Sequence, residues 1–113
     1  MTAYQKEFDR WLNAKTLTAE EKEELLSIRD DRELVELRFG APMSFGTAGL
    51  RSTMNLGIAC MNRFTVAQTT AGIAALIRGE GGENRGVAIA YDSGNRSKEF
   101  AETAACVLAD AGI

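Results

Sequence analysis

Residues 86–113 read "GVAIAYDSGNRSKEFAETAACVLADAGI", and this stretch decides the fold. It opens on a continuous apolar run, 86–91, with β-branched Val87 and Ile89, the pattern of a strand buried on both faces. After a polar turn, Phe100, Ala104, Val107, Leu108 and Ala111 fall on one helical stripe, with Ser97 as the expected cap and Gly112 as the stop. Upstream, "FTVAQTTAGIAALIRG" (64–79) carries the helical period through Val66, Ile73, Leu76 and Ile77, with Thr65 as its expected cap. The glycine-rich "GEGGEN" (79–84) then breaks it. Helix, strand, helix is the order of a layered α/β domain. Ile113 reads as the first residue of a further strand, which a βαβ unit requires, so the chain is expected to be the front part of a larger protein.

Further toward the N-terminus the texture changes twice. Residues 43–63 hold glycines, small residues and short apolar patches without helical period, and predict turns and two strands, around Leu50 and Ile58. The first forty residues predict three charged helices. Tyr4, Phe8, Trp11 and Leu12 mark one over 3–14, and "LTAEEKEELLSI" (17–28) marks the second, with a Thr18/Glu21 capping box. In "DDRELVELRFG" (30–40), Leu34, Val35 and Leu37 supply the apolar face of the third. The dense charge here is that of a solvated surface.

With 113 residues, 45% hydrophobic and 26% charged, the chain is at most one globular domain. A formal net charge of -3 gives no global attraction to nucleic acid or to an anionic membrane. No apolar run approaches a membrane span, and the polar, amphipathic N-terminus is not a targeting peptide, so cytoplasm is the expected location. Histidine is absent, which removes Ser-His and Cys-His nucleophile pairs and the usual zinc ligands. Cys60 and Cys106 lack metal-type spacing and are expected to be buried free thiols.

Two stretches carry candidate chemistry. "YDSGNRS" (91–97) stands between the expected strand and the last helix, where open α/β sheets collect ligands beside helix N-termini. The residues alone leave it open between an anion-facing turn with Arg96 and Ser97 and a plain strand-to-helix turn. The second is "FGTAGLR" (45–51). Gly46, Thr47, Ala48 and Gly49 allow close backbone approach, and Arg51 offers a planar fork matched to a phosphate. It is neither a Walker loop nor a dinucleotide fingerprint. It stays open between a phosphate cradle and a tight turn with Arg51 reaching water. The remaining serines and Thr69 and Thr70 read as turn, cap and packing residues.

Taken together, "FGTAGLRSTM" (45–54), "NRFTVAQTTAGIAALI" (62–77) and 86–113 resemble the start of the phosphoglucomutase/phosphomannomutase enzymes, the α-D-phosphohexomutase superfamily, over residues 40–113. The resemblance implies the three-layer αβα first domain of such an enzyme, incomplete here: residues 1–40 a helical leader, residues 41–113 a partial domain cut before the serine loop. It implies a phosphoserine that exchanges a phosphoryl group with the C1 and C6 oxygens of a hexose phosphate through a bisphosphate, assisted by Mg²⁺. The family's F-G-T-x-G-L-R segment matches Phe45, Gly46, Thr47, Gly49, Leu50 and Arg51. Arg51 and Thr47 are thereby expected to steady the phosphoryl group in transit, and Gly46, Gly49, Arg96 and Ser97 to contact phosphate. The family's Y-D-x-R-x-x-S turn matches Tyr91, Asp92 and Ser97, but Gly94 replaces its arginine and Arg96 follows two residues later. Ser52 stands where the family has glycine. The serine and the Mg²⁺ ligands fall outside residues 1–113, so the chain alone is expected to be inactive. The alternatives are a silent phosphosugar-binding module and a module that self-associates through unpaired strand edges.

Overall fold

The computed structural model describes residues 2–46 and 49–113. They fall into two compact units, residues 1–62 and 63–113.

The first unit begins with three helices whose starts are written in their caps. Helix α1 (Ala3–Leu12) is closed by a box in which Thr2 Oγ1 accepts from the Gln5 amide and Gln5 Oε1 accepts from the Thr2 amide. The expected box of α2 (Ala19–Ile28) forms in the same way between Thr18 and Glu21. Asp31 caps α3 (Arg32–Phe39) by accepting from the Leu34 amide. Each such cap satisfies amides that a helix leaves unpaired and contributes on the order of 1 kcal/mol.

The three helices bury Phe8, Leu25, Ile28, Val35 and Phe39, and later residues add Leu56 and Cys60. Phe39 lies at the centre, with the rings of Phe8 and Trp11 edge-on to it at 5.4 and 5.5 Å. That geometry sets ring edges against the negative face of a neighbour. The apolar face expected for α3 is corrected in one place. Val35, not Leu37, points inward, and Leu37 is 71% exposed because its position on the turn opposes that of Phe39 and Val35.

Residues Phe45–Gly46 (β1) and Gly49–Leu50 (β2) form an antiparallel hairpin, with Phe45 opposite Leu50 and Gly46 opposite Gly49. No strand forms at Ile58. That segment is instead a bend that docks on the end of α3: the Ala59 amide donates to Arg38 O at 3.0 Å.

In the second unit, α4 (Arg63–Gly79) packs on α5 (Ser97–Asp110), with Thr70, Ala74 and Leu108 buried. Thr65 does not cap α4; it is buried within the first turn, because the helix starts two residues earlier at Arg63. Ile73 and Leu76 of the expected stripe are exposed. Both helices end in the same device. Gly81 and Gly112 take positive φ, and the Gly82 and Ile113 amides reach back to Ile77 O and Leu108 O, each at 2.9 Å. Arg78 Nη1 donates to Ala111 O at 2.6 Å, tying the two helix ends together.

Between the helices the expected buried strand is not formed. Residues 86–91 carry no strand ladder and are exposed, with Tyr91 at 58%. A strand of this composition gains its burial from neighbours on both sides, and among the described residues the only ladder is the 45–50 hairpin. Cys106 is likewise exposed on α5, whereas Cys60 is buried as expected; neither is in a disulfide. Burial pushes the Cys60 thiol above its ordinary value. Among the described residues no helix is long and apolar enough to cross a membrane.

Candidate functional site

The two hairpin strands and Arg51 are tied to a short bend at residues 57–60. Two residues before β1, the Met43 amide donates to Ile58 O at 3.2 Å. Just after Arg51, Ser52 Oγ donates to Ala59 O at 2.6 Å. Both ends of the 43–52 segment are therefore fixed to the 57–60 bend. Ser52, where the resemblance implies glycine, thus supplies an anchor that a glycine, without a hydroxyl, could not.

The bend itself is built around Gly57 and Asn62. Gly57 has φ +134°, a conformation that L side chains avoid, and a Cβ there would lie 2.5 Å from Arg38 O. Buried Asn62 turns its Nδ2 to the carbonyls of Asn55 and Gly57, at 2.9 and 3.0 Å. Thus the chain end of this unit fastens the bend internally.

Gly49 takes φ +94°, and among the described residues nothing lies within 4 Å of where its Cβ would stand. That is the backbone freedom a close-approaching anion needs. Gly46 is exposed opposite it. Arg51 is exposed, and no hydrogen bond or ion pair holds its guanidinium among the described residues. Thr47 lies outside the described residues.

The second stretch, 91–97, belongs to the other unit. Asp92 Oδ1 accepts from the Gly94 amide and from Ser97 Oγ, both at 2.8 Å. Ser97 is therefore the first residue of α5 and not its cap. The cap position falls to Arg96, which takes a left-handed φ of 62° and offers no side-chain cap bond. Glycine at 94 suits this turn: a Cβ there would stand 2.7 Å from Asp92 Oδ1 and 3.1 Å from Ser97 Oγ, crowding the bond that closes it.

Hydrogen bonds from Ser97 and then from the Gly94 amide hold the Asp92 carboxyl below the ordinary aspartate range. A lowered carboxyl value stabilises the fold above its unfolded value and loses that support as pH falls through the folded one. The Gly94 amide resonance is accordingly expected to inflect below the ordinary aspartate value of about 3.9. In Ser97→Ala the inflection should move back up; an unshifted midpoint in that variant would refute the assignment.

The model for the phosphoglucomutase/phosphomannomutase alpha/beta/alpha domain I matches residues 42–113, a range that takes in the hairpin, Arg51 and the Asp92 turn. The chain belongs to this family. The chain is 38% identical over 112 residues to a mouse phosphopentomutase, a match covering 92% of the chain and 18% of that protein. A Saccharomyces cerevisiae phosphoribomutase is 39% identical over 91 residues, covering 80% of the chain and 14% of the relative. A Staphylococcus saprophyticus phosphoglucomutase is 41% identical over 75 residues, covering 66% and 13%. The chain spans less than a fifth of the length of these relatives. No solved structure matches it.

Among the described residues no group of three or more acidic, histidine or cysteine side chains could hold a metal ion, so none of them fits the Mg²⁺ that the resemblance implies. What sequence reasoning missed lies beneath the hairpin: Gly57, Ser52 and the Met43–Ile58 bond. A glycine in a segment without helical period hints at such a bend, but its partner, Arg38 O, lies in a helix 19 positions earlier.

Proposed function

We propose that this chain is the leading portion of a phosphomutase and that its hairpin meets the phosphoryl group in transit. Arg51 is the residue on which the reading turns. A guanidinium without a protein partner among the described residues, following a glycine with positive φ, suits bidentate binding of phosphate oxygens. Phosphoryl transfer is catalysed mainly by positioning and by neutralising charge on the equatorial oxygens. Arg51, with backbone amides at Gly46 and Gly49 and the Thr47 hydroxyl, supplies that neutralisation. In the other unit, the turn of Arg96 and Ser97 is assigned its own phosphate contact through the Arg96 guanidinium, since the Ser97 hydroxyl and amide are already given to Asp92 and to Gly94 O. The serine that carries the phosphoryl group, and the Mg²⁺ ligands, come from sequence outside residues 1–113. That further sequence also completes the three-layer αβα domain by pairing strands with residues 86–91. Without it the chain is catalytically silent.

The substrate class is a sugar phosphate whose phosphoryl group moves between the anomeric and the primary hydroxyl through a bisphosphate. Hexose phosphate is the substrate implied by the sequence motifs. Pentose phosphate is a second reading, favoured by one observation. A match covering 92% of the chain must include much of the helical leader, and that match is to a phosphopentomutase.

A titration of the ¹⁵N-labelled chain with inorganic phosphate tests the role of Arg51. Amide shifts are expected at Gly46, Gly49 and Arg51, and Arg51→Ala should weaken binding by about 10- to 100-fold, the worth of a charge-assisted hydrogen bond. Equal binding by the variant, with unchanged thermal stability, would remove Arg51 from the site.

A further inference from the structure

The hairpin's support does not end at the 57–60 bend, because that bend is itself held by the helical leader. Glu24, on α2, places Oε2 3.0 Å from Arg38 Nη1 of α3 and 2.7 Å from the Leu56 amide, one residue before Gly57. Arg38 in turn accepts the Ala59 amide on its carbonyl at 3.0 Å. One carboxylate oxygen thus joins α2, α3 and the loop, and the residue it joins on α3 receives the far side of the same loop. The Arg38 side chain is only 12% exposed, so its charge is screened less than that of an ordinary surface pair. The hydrogen bond to Leu56 is short and charge-assisted, of the stronger kind.

From there the path to Arg51 is continuous. Leu56 is buried and fixes the start of the bend; Ile58 O and Ala59 O receive Met43 and Ser52; these flank the hairpin on both sides. Removal of the carboxylate would leave the buried end of Arg38 and the Leu56 amide without this acceptor. The bend would then lose its grip on α3 while the aromatic core around Phe39, on the α1 side, stayed in place. We propose that Glu24 is a positioning residue for the phosphate-facing hairpin, so that the helical leader is a working part of the site and not an appendage. The proposal rests on the reading of Arg51 as the phosphate ligand, and it concerns residues 24 and 38, which lie outside the family-matched range 42–113.

The test uses the ¹⁵N-labelled chain and its Glu24→Gln and Glu24→Ala variants, with backbone order parameters and inorganic phosphate titrations on each. Order parameters report picosecond-to-nanosecond motion residue by residue. In Glu24→Ala they are expected to fall at Gly49–Ser52 while those of α1 and α5 hold, and phosphate affinity is expected to drop about tenfold, within the range of indirect couplings. Glu24→Gln keeps an acceptor for Leu56 but not the charge facing Arg38, and should fall between the two; it also carries the comparison if the alanine variant fails to fold. Unchanged order at 49–52 in a folded variant would overturn the proposal, whatever phosphate does. If the parent chain shows no hairpin response to phosphate, the reading of Arg51 fails instead, and the order parameters alone decide whether Glu24 holds the hairpin.

Discussion

Gly57→Ala is expected to unfold much of the first unit. The native φ of +134° costs a non-glycine residue about 1–3 kcal/mol, and the new Cβ would overlap Arg38 O at 2.5 Å and Arg38 Cβ at 2.8 Å. Neither atom is the loose end of a side chain, so relief requires moving the bend away from α3, a further cost of about 1–3 kcal/mol. A unit of residues 1–62 has a total stability of only about 3–9 kcal/mol at the usual value per residue. Urea unfolding followed by Trp11 fluorescence should therefore show a midpoint lowered by more than half. Gly72→Ala is the contrast. It sits inside α4 with nothing within 4 Å of the new methyl group, and should stabilise by up to about 1 kcal/mol. A parental midpoint in Gly57→Ala would mean that the strain assigned to Gly57 is wrong.

The second large effect is expected at Phe39. Its side chain is fully buried and receives the edges of two aromatic rings, one from Phe8 and one from Trp11. Phe39→Ala removes a ring from the middle of the three-helix core, at a cost of about 3–5 kcal/mol. The two aromatic pairs lost with it put the cost at the upper end of that range. That is comparable to the whole stability of the unit, so the variant should lack a cooperative unfolding transition at 25 °C. Near-ultraviolet circular dichroism from Trp11 would report the loss directly. A sharp transition with near-parental midpoint would mean that the core is carried elsewhere.

What could be read from the sequence follows the range of the forces involved. Thr18 with Glu21, Gly112 after α5 and the stripe ending in Leu108 all act within one or two helical turns, and each was legible. The family motif was legible for a similar reason, because 45–51 and 91–97 are contiguous strings. Segment 86–91 was misleading because its composition encodes what a strand buries when neighbours are present, not whether they are present. Ser97 was assigned to the cap because serine favours that position, but Asp92 competes for its hydroxyl and Arg96 absorbs the reversal. The ties that hold the candidate site join residues far apart: Leu56 to Glu24 across 32 positions, and Ala59 to Arg38 across 21. No periodicity announces such bonds.

The closure of those ties before residue 62 has a consequence for synthesis. Chains fold N-terminal parts first as they leave the ribosome, and short-range topologies assemble fastest. The nascent polypeptide can finish the mount for Arg51 before α4 has left the ribosome, so that side chain is seated ahead of the whole second unit.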